Sequence, residues 1–64
     1  MYVIQLIGEE KPYYWTCDFN GTQNYSTEIE DATVFRSRSA AHAMMLTLGK
    51  EDHRVLEEAD CQGD

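Results

Sequence analysis

The sequence predicts a small α+β fold, an antiparallel sheet of three or four strands with one amphipathic helix packed on one face. Three observations carry this expectation. Residues 2–7 and 13–19 alternate with the two-residue period of strands. An Asn20-Gly21 pair, the strongest short hairpin signal, follows the second of them. Residues 36–49 then change to a spacing of three and four, the period of a helix.

The opening "YVIQLI" puts Tyr2, Ile4 and Leu6 on one face and Val3, Gln5 and Ile7 on the other. Apolar residues on both faces predict a central strand. "GEEKP" is a turn, because Gly8 tolerates positive φ and Pro12 has no amide for a ladder. In "YYWTCDF", Tyr13, Trp15, Cys17 and Phe19 alternate with Tyr14, Thr16 and Asp18, so the first set is expected on the half-buried face. Asn20-Gly21 suits a type I′ turn, and the returning arm "TQNYSTEI", with Tyr25 and Ile29 as its main apolar residues, reads as a ragged edge strand.

"ATVF" is expected to resume as a short strand. The helix follows over roughly Ser39 to Leu48, with Ala41, Met44, Met45 and Leu48 on the stripe that meets Ile4, Leu6, Trp15 and Phe35. Ser37 or Ser39 is placed to cap its first turn and Gly49 to stop it. "HRVLEE" adds a last strand or helical turn through Val55 and Leu56, and the polar tail from about residue 59 is expected to be mobile.

A chain of 64 residues has room for one domain, residues 1–64. A domain of this size buries only about 60% of the surface of its unfolded chain. With 42% hydrophobic residues, one tryptophan, four tyrosines and two phenylalanines, the composition is that of a folded protein. Cys17 and Cys61 lack the spacing of a metal knuckle or redox pair and are expected to be free thiols, although a bridge between them would stabilise the fold by roughly 4 kcal/mol. "MYVIQLIGEE" has no basic residue ahead of a short apolar run, so a cytoplasmic location is expected. On that basis the sequons at Asn20 and Asn24 go unglycosylated.

Enzyme chemistry is not signalled. His42 and His53 stand alone, outside any metal or catalytic constellation, and are expected at the surface or its boundary. Glu51, Asp52 and His53 do not make a designed metal site, and no cofactor or metal is expected. Arg36 and Arg38 flank Ser37 at the start of the helix, where an anion could bind. In so acidic a chain their expected use is to neutralise Glu28, Glu30 or Asp31.

Twelve acidic residues against five basic ones leave a net charge of −7, which makes nucleic acid and anionic membranes poor partners. In "STEIEDATVF" the carboxylates Glu28, Glu30 and Asp31 lead into the expected strand. Extended, Glu28 and Glu30 would share one side about 6.6 Å apart, a spacing that imitates phosphates. With Glu57, Glu58 and Asp60 they form the candidate partner-binding set. The partner such a surface fits is a protein whose own basic surface binds nucleic acid. The competing expectation is an adaptor that docks through an aromatic sheet face with Tyr14, Trp15 and Tyr25 as anchors.

The acid in "TEIEDATVF" and "LEEAD", the first strand beginning at Tyr2 and the lack of an enzyme motif resemble the small phage-encoded inhibitors of bacterial defence, in particular anti-CRISPR proteins. "DATVFRSRSAA" is similar to many small phage proteins. The resemblance rests on general make-up, so no functional residue is carried over. It implies a monomer or small oligomer, here expected as a monomer, that binds a Cas effector subunit and blocks target DNA.

Overall fold

In the computed structural model, which describes residues 1–57, the alternating segments form β1 (Tyr2–Leu6), β2 (Tyr13–Cys17) and β3 (Gln23–Ser26). A 3-10 turn (Ile29–Asp31), the helix α1 (Arg38–Leu48) and β4 (His53–Glu57) follow among the described residues. The strands form one antiparallel sheet in the order β3-β2-β1-β4. The α+β class stands, and β1 is central because the "HRVLE" segment is a strand, paired to β1 from Tyr2↔Glu57 to Leu6↔His53.

Val3 and Ile4, on opposite faces of β1, are both fully buried, and the helix packs on the side that carries Ile4. Ile4 and Trp15 meet Ala41 and Met45 of α1, all four buried, with Tyr2, Cys17, Phe35, Met44, Leu48 and Val55 packed around them. Trp15 stacks on Phe35 with ring centroids 6.0 Å apart. The helical stripe read from the sequence is therefore the face that docks. Ser37 caps the helix by accepting the Ala40 amide on its hydroxyl at 3.1 Å. Gly49, at φ 121°, ends it and returns its amide to the Met45 carbonyl.

β1 and β2 pair at only two positions, Gln5↔Tyr14 and Leu6↔Tyr13, and then part. The opening is filled by residues 33–35. Thr33 donates its amide to the Trp15 carbonyl at 3.1 Å and accepts the Cys17 amide on Oγ1 at 2.8 Å. Phe35 exchanges both backbone bonds with Tyr2, at 2.9 and 2.8 Å. The expected "ATVF" strand is thus a wedge, joined to β1 by one bridge and to β2 by a backbone bond and the Thr33 hydroxyl. It closes polar groups that would otherwise be stranded inside the sheet.

Two local expectations are corrected. The acidic run is not extended, because residues 29–31 turn instead. The chain leaves β3 away from the gap it must fill, and Ser26 organises the return: its hydroxyl accepts the Glu28 amide and donates to Asp31 Oδ2, each at 3.1 Å. The hairpin closes one residue pair earlier than the alternation implied. Asp18 bonds Thr22 and Gly21 through its backbone, only Gly21 takes positive φ, at 87°, and the connection is a type I turn with a bulge, not type I′. Phe19 therefore stands at the tip, 98% exposed, and not on the half-buried face.

Candidate functional surface

Antiparallel register decides which charges meet. Leu6 lies opposite both Tyr13 and His53, and Tyr14 lies opposite Ser26. The β1–β2 loop, the segment after β3 and the α1–β4 loop consequently gather at one end of the sheet. The Ile7 amide donates to the Asp52 carbonyl, which ties the first loop to the third. Ser26 ties Glu28 and Asp31 to the same end. That end carries Glu9, Glu10, Glu28, Glu30, Asp31, Glu51 and Asp52, all exposed, against Lys11 and Lys50.

The predicted partner set is divided by this arrangement. Glu28, Glu30 and Asp31 stay together, but Glu30 and Asp31 lie in a 3-10 turn, where adjacent side chains are about 120° apart, so the three do not form an extended row. Glu57 lies opposite Tyr2, at the far end of the sheet on the outer strand. Glu58 and Asp60 lie outside the described residues, as does Cys61. The carboxylates that join the turn are instead Glu9, Glu10, Glu51 and Asp52. Loops this distant in sequence gave no local signal of their meeting, but pairing the "HRVLE" strand with β1 would have brought the first and third together.

His53 corrects another expectation. It is a buried strand residue, 5% exposed, and not a boundary side chain in a charged loop. Its Nδ1 lies 2.8 Å from the Gly49 carbonyl, which can only accept, so Nδ1 carries the hydrogen. Nε2 then accepts from the Tyr25 hydroxyl at 2.7 Å. Tyr25 and His53 occupy opposite edge strands, and a flat sheet would set those strands about 14 Å apart. The bond therefore spans the helix side of the sheet from one edge strand to the other, at the acidic end. Burial first, and the charge of Asp52 second, push the Tyr25 hydroxyl above its ordinary pKa.

The adaptor anchors also separate. Trp15 is core and Tyr25 is held by His53, which leaves Tyr14 on the face away from the helix. Arg38 sets its guanidinium over the Tyr2 ring, 5.5 Å from the centroid, at the start of α1. His42 is exposed, as expected. The described residues form no pocket and include no group of side chains suited to a metal ion and no helix long and apolar enough to cross a membrane. No family model, curated protein or solved structure matches the chain.

Proposed function

We propose that this chain is an inhibitory binding protein of the anti-CRISPR kind, acting in the cytoplasm of a bacterial host. Its acidic end occupies the basic, nucleic-acid-binding surface of a Cas effector subunit and displaces the nucleic acid. The observation that carries this reading is the convergence of seven exposed carboxylates, from Glu9 to Asp52, at one end of the sheet. An array of that charge offers lysines and arginines what a phosphate backbone offers them, presented by loops anchored to a sheet. The work is binding and not catalysis, and it calls on no cofactor.

The test is competition. Purified, guide-loaded Cas effectors are incubated with labelled target DNA and rising amounts of this protein. Loss of the DNA complex that is relieved by salt is the expected result. Formation of a ternary complex with DNA, or indifference of every effector tested, refutes the reading.

A further inference from the structure

We infer that Ile7 and Tyr25 form the apolar centre of the acidic contact surface, and that the protein bound there presents an apolar side chain among lysines or arginines. This rests on the reading that the chain binds through its acidic end, and it adds the chemistry at the middle of that contact. The strand order β3-β2-β1-β4 sets the end of β1 between two groups of carboxylates. Glu28, Glu30 and Asp31 follow β3 on one side, and Glu51 and Asp52 precede β4 on the other. Ile7 is the first residue past β1, 44% exposed, with Glu9 and Glu10 just beyond it.

Single apolar side chains are ordinary on a protein surface, so exposure alone selects neither residue. Both are also held in place. The Ile7 amide donates to the Asp52 carbonyl at 2.6 Å, which fixes the residue to the loop before β4. Tyr25, 37% exposed, donates its hydroxyl to Nε2 of buried His53 at 2.7 Å, and His53 lies opposite Leu6, the neighbour of Ile7. The Tyr25 ring therefore reaches from the outer strand toward the end of β1. Asp52, whose carbonyl holds Ile7, also lies near enough for its charge to help raise the pKa of the Tyr25 hydroxyl, second to burial. Groups immobilised before docking lose little entropy when they dock. Among the described residues the other well-exposed large apolar side chains lie elsewhere, Met1, Phe19 and Val34 toward the far end of the sheet and Leu46 on α1.

Charge selects the occupant. Seven carboxylates against Lys11 and Lys50 at this end repel nucleic acid and an anionic membrane, and a net charge of −7 opposes a second copy of the chain. A cationic protein surface is the complement. Cations alone give Ile7 and Tyr25 nothing to bury against, whereas an apolar side chain among them does. A desolvated apolar centre within a polar rim is the common anatomy of a protein interface. Part of the affinity should therefore survive salt, which screens the rim and leaves apolar burial in place.

The full chain is titrated with two synthetic peptides of equal length and charge, in which pairs of lysines are separated by leucine in one and by serine in the other. The leucine peptide is expected to bind about tenfold more tightly, in low and in high salt. Nuclear Overhauser contacts should join its leucine methyls to the Ile7 methyls and the Tyr25 ring. Ile7→Ser should abolish most of the preference without changing affinity for the serine peptide, and Ile7→Leu should keep it. Should the Ile7→Ser chain not fold, the contacts in the parent decide. Equal binding of the two peptides, binding of neither, or leucine contacts at Phe19 and Met1 overturns the inference. Ile7 and Tyr25 signals that respond instead to a second copy, to DNA or to phosphatidylglycerol vesicles overturn it as well. If the leucine peptide binds as expected but no Cas effector loses its DNA, the apolar centre stands and the mimicry reading alone fails.

Discussion

Replacing Tyr25 with Phe tests whether the bond between the two edge strands stabilises the fold. The ring remains and the hydroxyl that donates to His53 Nε2 at 2.7 Å is lost. An acceptor deprived of its donor inside a protein costs about 1–3 kcal/mol. His53 is 5% exposed but Tyr25 is 37% exposed, so water reaches the donor side and the low end, about 1 kcal/mol, is expected. In a domain this small that lowers the melting temperature by about 4–8 °C. The pH dependence gives a second readout. The folded hydroxyl titrates above its ordinary pKa of about 10, because burial and then Asp52 disfavour the phenolate. Its contribution is therefore complete below the unfolded value and is lost as pH rises through the folded one. Between thermal melts at neutral pH and above about pH 10, the gap between parent and Tyr25→Phe should narrow. Equal melting at neutral pH, or a gap that widens in alkali, refutes that role.

Burial grades the core substitutions. Met45→Ala, at a position 7% exposed, should cost about 2–5 kcal/mol in urea denaturation, and half-buried Leu48→Ala about 2 kcal/mol or less. A reversed order would mean that the helix is rotated on the sheet. Ser37→Ala removes the side chain that accepts the Ala40 amide and should cost about 1 kcal/mol, while Ser39→Ala should cost a few tenths at most, a contrast measurable in the same denaturation series.

Local pattern made most of the fold legible. The stripe Ala41, Met44, Met45, Leu48 is the docking face, Ser37 and Gly49 bound the helix, and the alternation around Ile4 and Trp15 picks the covered side of the sheet. The failures occur where a segment answers to tertiary demand. Residues 28–31 had strand-compatible spacing, yet they turn because the chain must place Thr33 and Phe35 between β1 and β2. Phe19 continued a two-residue period past the point where Asp18 closes the hairpin. His53 sat among "KEDHR", and only the opposite edge strand, 28 residues earlier, supplies the tyrosine that lets it be buried. The acidic end was half visible for a similar reason. Glu28, Glu30 and Asp31 are adjacent in sequence, whereas their neighbours Glu9, Glu10, Glu51 and Asp52 become so only through strand register.

That end is electrostatically unfavourable to the fold, which bears on why the charges are there. The C-terminus of α1 points to it, and a helix C-terminus carries about half a negative charge, so Glu51 and Asp52 just beyond Gly49 oppose the dipole. Arg38 opposes it again in the first turn, offset by its seat over Tyr2. The gathered carboxylates also repel one another, a cost that salt relieves. If they serve a partner, neutralising them should leave stability unchanged or raise it while weakening binding, the usual opposition at functional sites. The substitutions Glu28→Gln, Glu30→Gln and Asp31→Asn keep shape, and the Asn retains an acceptor for Ser26. They should reduce partner affinity by several-fold to about a hundred-fold, at roughly 0.3–1 kcal/mol per contact. The pair Glu9→Gln and Glu10→Gln, at the same end, should weaken binding in proportion to its charge, and Glu57→Gln, at the other end, should do less. Melting in low and high salt and binding at the same two salts read both sides of the balance. If the triple variant melts well below the parent in low salt, the carboxylates are structural. If Glu57→Gln weakens binding most, the contact lies at the opposite end of the sheet.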